Sequence, residues 1–370
     1  MNPSYWEIKS WLTNVDYTIV GSGIVGLSCA LQLRQRFPKA KILILEKGVL
    51  PQGASTKNAG FACFGSLSEI LNDLKTHSEA EVFNLVKQRI DGLKLLRETL
   101  GDKAIDYQEL GSYELFTKED TELYETCLQG KHKINQILKP LFNAEVFSFV
   151  VDKFGFQNIQ AQQGFNQFEG QIDTGKMMVA LLQLAQKNDI KILNTVELLS
   201  FSEDRNSVKL ETNYFELSSK KLLISTNGFA SQLIEENIKP ARAQVLITEP
   251  IENLNIKGTF HLDRGYYYFR NIDNRILFGG GRNLDFKTEE TTAFGQTELV
   301  KQKLKTLLQT TILPEQEVKI DHYWSGIMGI GSQKRPIVKQ LSNHVFCGVR
   351  LGGMGVAIGS LVGKELADLI

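Results

Sequence analysis

The sequence predicts a mixed α/β fold with two domains, one Rossmann-like and the other built on a mixed or antiparallel sheet. Three observations predict it. An apolar, strand-like run at 17–20 leads directly into the glycine-rich turn 21–26. A second apolar run at 41–45 ends in the acidic residue Glu46. Strand-like segments with Asp- and Gly-containing turns then occupy much of 242–281. The first two features are typical of a parallel βαβ unit, and the third is typical of antiparallel strands.

The glycine-rich turn has the spacing G-x-G-x-x-G. In such a turn Gly21 permits the tight reversal, Gly23 lets the backbone approach a pyrophosphate, and Gly26 lets the next helix pack closely on the strand. That helix, predicted at about 25–37, presents its free N–H groups to the phosphates. The residues predicted here to bind a dinucleotide are Gly21, Ser22, Gly23, Ile24, Val25 and Gly26.

Glu46 lies 20 residues after Gly26. A carboxylate at this spacing accepts hydrogen bonds from the ribose hydroxyls of an adenine dinucleotide and repels a 2′-phosphate. The pattern therefore favours FAD or NAD over NADP. A chance glycine-rich turn is the alternative, but strand, turn, helix, strand and terminal acid are all in register.

The segment after Glu46 favours FAD over NAD as the dinucleotide. It is a long polar loop, unlike the short link of an NAD dehydrogenase, and Gly53–Gly60 fits the pattern G-A-S-x-x-N-A-G. In this it resembles the flavin-crossing segment of the D-amino-acid oxidase, glycine oxidase and sarcosine oxidase superfamily of flavoenzymes. The resemblance implies a glutathione-reductase-type FAD-binding domain. The FAD-binding residues that it implies in this region are Lys47, Ser55, Thr56, Asn58, Ala59, Gly60 and Phe61.

Three later segments add to the resemblance. Residues 221–228 are similar to the family's strand ending in A-T-N-G, 275–281 to its D-G-R-L-L-x-G-G strand, and 346–355 to its C-terminal G-x-x-G-x-G. The helix after 346–355 would place its positive N-terminal end near the negative charge of a reduced flavin. The further FAD-binding residues implied are Val196, Asn227, Gly228, Gly352, Gly353, Met354 and Gly355.

Each predicted domain is assembled from more than one segment. The FAD-binding domain is predicted to comprise 1–78, 152–240 and 326–370, and the substrate domain 79–151 and 241–325. Apolar residues at helical spacing predict a helix over 79–100 that ends at Gly101. The pattern at 119–138 predicts one or two helices, interrupted at Gly130 and stopped by Pro140.

The resemblance implies oxidation of an amine C–N bond. A hydride passes from the α-carbon to flavin N5, and the resulting imine hydrolyses. This chemistry needs orientation and a dry pocket more than acid–base groups. Tyr266, Tyr268 and Arg270 would share one face of a strand in the family's pocket wall, with Tyr267 and Phe269 opposite. A core or interdomain aromatic cluster is the alternative interpretation.

Two departures from the family bear on the substrate. Members that oxidise α-amino acids have W-x-G-x-R, whose arginine binds the carboxylate, but Met328 stands at that position. Sarcosine-oxidase-like members use a lysine where Ala357 stands. We therefore expect an amine or N-substituted amine, as in γ-glutamylputrescine oxidases, over a simple α-amino acid. If the substrate is an anion, Arg350 is the best candidate to bind it, ahead of Arg335, Arg270 and Lys57. The residues predicted to act on the substrate are Tyr266, Tyr268, Arg270 and Arg350.

Two further departures bear on the flavin. Asn58 stands where some relatives attach FAD through a histidine, and 324–331 contains no cysteine for the other mode of attachment. We therefore expect non-covalent FAD. Leu277 stands where sarcosine oxidases have the lysine that activates oxygen. The electron acceptor is accordingly left open between O₂ and another molecule.

Composition excludes little but narrows the class. The chain has 42 basic and 42 acidic residues and no long like-charge block, which argues against nucleic acid or an anionic membrane as the main partner. No apolar run is long enough to span a bilayer and no signal-peptide pattern is visible, so we expect a cytoplasmic protein. The cysteines, predicted to be reduced, are Cys29, Cys63, Cys127 and Cys347. Cys63 is a candidate for the active-site wall.

The histidines form no spaced cluster, so no metal site is predicted, and only His261 ends a predicted pocket strand. Three alternatives to an amine oxidoreductase remain at this point. They are an FAD-dependent tRNA-modifying oxidoreductase, an NAD-dependent dehydrogenase and a flavin-binding regulatory protein. Balanced charge counts against the first, and a bound yellow chromophore would exclude the second.

Overall fold

The computed structural model describes residues 2–314 and 316–370. The strands are β1 (Val15–Val20), β2 (Ile42–Glu46), β3 (Phe61–Ala62), β4 (Ser112–Glu114), β5 (Phe147–Val151), β6 (Gln162–Asn166), β7 (Gly170–Gln171), β8 (Lys191–Asn194), β9 (Leu198–Glu203), β10 (Val208–Thr212), β11 (Glu216–Ile224), β12 (Lys239–Thr248), β13 (Thr259–Leu262), β14 (Tyr267–Ile272), β15 (Arg275–Gly280), β16 (Ile320–Ile330), β17 (Ile337–Gln340) and β18 (Val345–Val349).

The α-helices are α1 (Tyr5–Glu7), α2 (Ile24–Arg36), α3 (Ala54–Lys57), α4 (Leu67–Asp73), α5 (Glu79–Leu100), α6 (Asp102–Ile105), α7 (Thr121–Phe142), α8 (Thr174–Lys187), α9 (Phe286–Glu289), α10 (Glu298–Leu307) and α11 (Gly355–Asp368). Short 3₁₀ segments cover Asn227–Gln232 and Arg282–Leu284, and π segments cover Ile8–Leu12 and Leu308–Ile312.

The first sheet has a parallel centre, as the glycine-rich turn predicts. Its strand order is β17-β18-β11-β1-β2-β8, and β9 and β10 extend from β11 as an antiparallel hairpin. The pairs of β1 with β2 and β11, of β2 with β8 and of β11 with β18 are parallel. Helices α2, α8 and α11 bury one face, and β9, β10 and the segment after β11 bury the other. Because both faces are covered, the central strands read as continuous apolar runs.

The second sheet confirms the predicted mixed type. Its order is β16-β12-β15-β14-β13-β4-β6-β5, antiparallel throughout except for the parallel pair of β13 and β4. Along β14, Tyr267 and Phe269 face a core shared with Phe260 and α10. Tyr268 packs on the opposite face. The predicted alternation is therefore present from Tyr267 to Phe269, but the prediction is wrong for Tyr266, which precedes the strand and packs against the same core as Tyr267.

The two sheets do not divide the chain where the predicted domain boundaries fall. Helix α5, predicted to lie in the substrate domain, packs through Leu93 and Leu96 into the core of the first sheet. Strand β6, predicted to lie in the FAD-binding domain, pairs in the second sheet. The division into domains stays a proposal.

The predicted interruption at Gly130 and stop at Pro140 are wrong, because α7 is continuous from Thr121 to Phe142. Gly130 lies where α7 crosses α4, and a Cβ atom there would be 2.6 Å from Leu71 Cδ2. The glycine thus permits a close helix–helix contact. Pro140 falls in the last turn, where buried Leu138 packs against the neighbouring elements. The loss of one backbone hydrogen bond near a helix end is offset by that packing.

Between residues 2 and 370, Glu315 excepted, no helix is both long enough and apolar enough to cross a membrane.

Candidate active site

One large cavity is lined by residues of both sheets. Its volume is about 1250 Å³, which exceeds the roughly 300–1,000 Å³ of a pocket for one small ligand. The carboxyl ends of β1 and β2 form one end of it, and residues near β13 and β14 form the other. Ligands of open α/β sheets bind at the carboxyl ends of parallel strands. The cavity has room for a dinucleotide and a second, smaller molecule.

The glycine-rich turn has the geometry that a dinucleotide requires. Gly21 has φ +101° and donates its N–H to the Leu45 carbonyl over 2.8 Å. A Cβ atom on Gly26 would clash with the Gly21 carbonyl oxygen and lie 2.7 Å from Ser225 Oγ. The turn can therefore close only with glycine at this position. The first N–H groups of α2 have no acceptor within the helix. That of Ile24 donates to Ser55 Oγ over 3.0 Å, and Ile24 and Val25 line the cavity.

Glu46 is fixed at the end of β2. It is buried, and its Oε2 accepts hydrogen bonds from the Ser22 backbone N–H (3.1 Å) and the Ser22 hydroxyl (2.7 Å). Its Oε1 accepts the Gly48 N–H over 2.9 Å. The carboxylate is thus orientated before any ribose arrives, which lowers the entropic cost of binding.

Asn58 shapes the segment that is predicted to cross the flavin. Its amide donates to the Ser55 carbonyl (2.7 Å), and its Oδ1 accepts from the Gly60 N–H (2.8 Å) and the Thr174 hydroxyl (2.9 Å). From the second sheet, Trp324 Nε1 donates to the Lys57 carbonyl over 2.9 Å. The segment is therefore tied to the start of α8 and to the second sheet.

The C-terminal glycines form an open cradle. Gly352 and Gly353 have φ +60° and +85°, and a Cβ atom on either would meet nothing closer than 3.4 Å. Asn227 Oδ1 accepts the Leu351 N–H over 3.1 Å and so ties the end of β11 to this loop. The 14-residue helix α11 begins directly afterwards, with its N-terminus at the cavity. Gly352 and Gly353, which have no close neighbours, and the N-termini of α2 and α11 together fit a flavin dinucleotide.

Most predicted cofactor residues line this cavity, namely Gly21, Gly23, Ile24, Val25, Glu46, Lys47, Ser55, Asn58, Ala59, Phe61, Val196, Asn227, Gly352, Gly353, Met354 and Gly355. The others support the lining from behind. Ser22 holds Glu46, Gly26 contacts Gly21, and the Thr56 hydroxyl donates to the Pro51 carbonyl. Gly60 packs against Ile172, and Gly228 packs against Met328. Direct contact of these residues with FAD stays a prediction.

Two of the predicted substrate residues lie on the cavity wall. Tyr266 and Tyr268 line it, and burial raises the pKa of Tyr268 to about 12, so its hydroxyl stays protonated at neutral pH. The Phe61 ring meets Tyr268 edge to face at 5.6 Å and His261 at 5.2 Å. These three rings form an aromatic wall beside the segment that is predicted to cross the flavin.

The two predicted arginines do not line the cavity. Arg270 is buried behind Gly60, where a Cβ atom would approach its guanidinium carbon to 3.2 Å, and burial lowers its pKa to about 10. The Arg350 guanidinium donates to the carbonyl of Arg335 (2.9 and 3.1 Å) and to that of Asn237 (3.2 Å). Arg350 thus holds backbone together, and its predicted role as an anion ligand finds no support in its position.

A buried polar cluster adjoins the wall. Ligand-type atoms of Cys63, Glu169 and His261 lie within 4.8 Å of one another. Burial raises the pKa of the Cys63 thiol well above its ordinary value and that of Glu169 to about 7. Burial lowers the pKa of His261. At neutral pH the thiol and the imidazole are therefore uncharged. These residue types also suit zinc, and the absence of a metal stays a prediction.

Glu69 and Arg89 line the cavity and were not predicted as site residues. Glu69 is the third residue of α4 and part of its capping box with Ser66, which predicts a helix start and nothing more. Arg89 lies among apolar residues of α5 and donates to the Phe64 carbonyl over 2.7 Å. No local pattern distinguishes these residues from ordinary helix residues. Cys63, a candidate for the wall, does line the cavity.

Glu169→Gln is expected to remove a loss of stability with rising pH. The folded-state pKa of about 7 lies above the ordinary 4.5, so the folded protein binds this proton more tightly than the unfolded chain. The group therefore destabilises the fold increasingly from pH 4.5 to 7, by about 2–3 kcal/mol in all. Urea unfolding at pH 5 and pH 8 measures this effect. Between these two pH values the free energy of unfolding of wild type should fall relative to that of Glu169→Gln. A stability difference between wild type and Glu169→Gln that is the same at both pH values would contradict this prediction. Glu122→Gln, at an exposed position, serves as the control.

Fold and cavity together define a dinucleotide-binding protein with a second sheet over the cofactor site. A family model described as FAD dependent oxidoreductase, the DAO model, matches residues 16–369. The chain therefore belongs to the DAO family and is an FAD-dependent oxidoreductase. This confirms the resemblance seen in the sequence and decides for FAD over NAD.

Relatives and solved structures agree. The chain is 21% identical to the probable oxidoreductase OrdL of Haemophilus influenzae, over 97% of this chain and 83% of that protein. It is 21% identical to the gamma-glutamylputrescine oxidoreductase of Escherichia coli, over 96% and 83%. Glycine oxidase from Geobacillus kaustophilus superposes with a TM-score of 0.78 at 18% identity, covering 96% of this chain and 94% of that one. L-proline dehydrogenase from P. horikoshii gives 0.77 at 16%, covering 96% and 93%. The structures show a shared fold.

Proposed function

We propose that this enzyme oxidises the C–N bond of an amine or amino acid to an imine, which then hydrolyses. The observation that carries the proposal is one continuous cavity that joins the dinucleotide cradle to an aromatic wall. The names of the similar proteins add support, since they include a glycine oxidase, an L-proline dehydrogenase and a gamma-glutamylputrescine oxidoreductase. Bound FAD would supply the hydride acceptor, at its N5 position.

The chain's own residues orientate the substrate and exclude water. Phe61, Tyr268 and the neutral imidazole of His261 provide an apolar surface against which a C–H bond can be held in place. Exclusion of water strengthens each polar contact inside the cavity and protects the imine until it is released. The Tyr268 hydroxyl is protonated at neutral pH, as its ordinary pKa of 10.0 and its raised pKa of about 12 both require, and it can donate a hydrogen bond to the substrate.

Within this class we favour amines and N-substituted amines over simple α-amino acids. Met328 lines the cavity at the position where related amino-acid oxidases have arginine, and its thioether cannot bind a carboxylate. Arg350 is occupied by backbone carbonyls. Neither of these two positions therefore supplies the forked cation that fixes the carboxylate of a small α-amino acid.

An anaerobic titration of the purified protein tests the proposal. We expect the oxidised flavin absorbance to bleach on addition of primary or N-alkylated amines, and less readily with small α-amino acids. Flavin that stays oxidised with every amine and amino acid would contradict it. Readmission of air afterwards shows whether O₂ reoxidises the reduced flavin. Because the apolar Leu277, packed against Ala59 and Val245, stands where related oxidases have the lysine that activates oxygen, we expect slow reoxidation by O₂ and faster reoxidation by an artificial acceptor.

We expect the FAD to be bound without a covalent link. The Asn58 amide is held by backbone contacts, and burial raises the pKa of Cys63, which keeps this thiol protonated and unreactive. Acid precipitation should release all the yellow chromophore into the supernatant. Chromophore that remains with the precipitated polypeptide would contradict this prediction, and free FAD carried through the same treatment is the control.

A further inference from the structure

Glu69 differs from the other carboxylates of the cavity. In the described part of the chain, the acidic residues that line the cavity are Glu46, Glu69 and Glu197. Glu46 accepts three hydrogen bonds, and Glu197 pairs with Lys47 over 2.5 Å. Outside the undescribed Met1 and Glu315, Glu69 forms no ion pair, and the only hydrogen bond of its carboxylate is from the Ser66 N–H to Oε2 over 3.0 Å. Its Oε1 is therefore an unused acceptor at the end of the cavity away from the glycine-rich turn.

We propose that Glu69 binds an ammonium group of the substrate that is not itself oxidised. The preferred substrates would then be diamines, or amines with a second positive charge, whose other nitrogen lies at the aromatic wall. This inference rests on the proposed amine oxidation, and it assigns the substrate class of that same site.

The described neighbours of Glu69 favour its ionised form, but none of them is in direct contact with its carboxylate as an ion pair. Burial pushes its pKa upwards, but Lys334, the Ser66 N–H and Arg89 outweigh burial and leave the pKa below its ordinary value, and His261 adds to them only when its ring is protonated. Each of the two cations has its own contact. Lys334 Nζ lies 2.6 Å from Asp73 Oδ1, and Arg89 donates to the Phe64 carbonyl. The carboxylate is thus ionised, with room for a cation in direct contact.

Access to Glu69 is from the cavity that it lines. Gly265 covers another side of the carboxylate, since a Cβ atom there would be 3.0 Å from the carboxylate carbon. Next to it, Arg264 is exposed and faces Asp263 across 3.3 Å. His261, uncharged because burial lowers its pKa, adds no positive charge to the wall. An ammonium at Glu69 would therefore gain a charge-assisted hydrogen bond without displacing an existing ion pair.

A second capping box provides a matched control. Ser78 and Glu81 form a capping box at the start of α5 as Ser66 and Glu69 do at the start of α4, with an N–H to carboxylate bond of 3.0 Å in both. The Glu81 side chain is 46% exposed and lies outside the cavity. Because glutamine also completes a capping box, Glu69→Gln and Glu81→Gln should leave both helices, the melting temperature and the FAD content unchanged.

The test compares 1,4-diaminobutane with 1-aminobutane, extended to diamines of three to six carbons. Rapid-mixing reduction of the flavin without oxygen gives Kd and the limiting rate for each amine. We expect wild type and Glu81→Gln to prefer one of the diamines. Glu69→Gln should raise the Kd of that diamine about tenfold or more, as loss of one charge-assisted hydrogen bond implies. The Kd of 1-aminobutane should change little.

The outcomes separate the two proposals. Reduction by monoamines and diamines with equal Kd, or a diamine Kd that Glu69→Gln leaves unchanged, would overturn the ammonium site and leave amine oxidation standing. A flavin that no amine or amino acid reduces would overturn both. Preference for a diamine that disappears equally in Glu81→Gln would assign the effect to helix capping and also overturn the inference.

Discussion

Gly26→Ala is expected to yield a protein that lacks FAD and unfolds at a lower temperature. The added methyl group would clash with the Gly21 carbonyl oxygen and press on Ser225 Oγ at 2.7 Å. The first contact is with the turn itself and the second is with the residue that follows β11, so relief requires that α2 move away from both. Overpacking of this kind costs about 1–3 kcal/mol, or more where backbone is the obstacle. The displaced helix N-terminus would also no longer meet the pyrophosphate.

Gly175→Ala is the control for this substitution. Gly175 lies in the first turn of α8, where the added methyl group would meet only the side chain of Asp173, at 3.3 Å. The ratio of flavin to protein absorbance and the melting temperature with and without added FAD measure both variants. A Gly26→Ala protein with full FAD content would contradict the role of this turn.

Glu289→Ala is expected to lower the free energy of unfolding by about 3–5 kcal/mol, the usual result of leaving one charge of a buried pair alone. Arg242 binds Glu289 through two hydrogen bonds of 2.8 and 3.1 Å, and the side chains are only 9% and 2% exposed. Gln244 and Thr297 donate to the same carboxylate. The alanine variant would leave Arg242 buried without a counter-charge.

The same pair supports the cavity wall. The segment between Glu289 and Thr297 includes Thr292, Ala293 and Phe294, which line the cavity. We therefore expect weaker amine binding as well as lower stability. Asp91→Ala, which removes the exposed ion pair with Lys87, is the control and should change stability by at most about 1 kcal/mol. Equal urea midpoints for wild type and Glu289→Ala would contradict the prediction.

The cofactor half of the site was predictable because its requirements are local. A backbone that must turn with φ +101° at Gly21 and approach a helix at Gly26 demands glycine, and a ribose demands a carboxylate at a set distance along the chain. Such requirements can be recognised from the types of residue and their spacing along the chain. The alternating faces of Tyr267 and Tyr268 follow from strand geometry in the same way.

The substrate half was less predictable because its residues come together only in the folded chain. A capping-box glutamate has the same sequence pattern whether it faces solvent, as Glu81 does, or the cavity, as Glu69 does. An arginine after a strand has the same pattern whether it binds a ligand or, as Arg350 does, backbone carbonyls. Gly130 resembles a helix breaker until its contact with Leu71 is known.

The most direct test of the central claim is an anaerobic single turnover with an amine deuterated at its α-carbon. We predict that each equivalent of flavin reduced yields one equivalent of the carbonyl compound formed by imine hydrolysis. We also predict that deuterium slows the reduction severalfold, because the C–H bond breaks in that step. Flavin that remains oxidised, or that is reduced with neither carbonyl product nor isotope effect, would contradict oxidation of the C–N bond at this site.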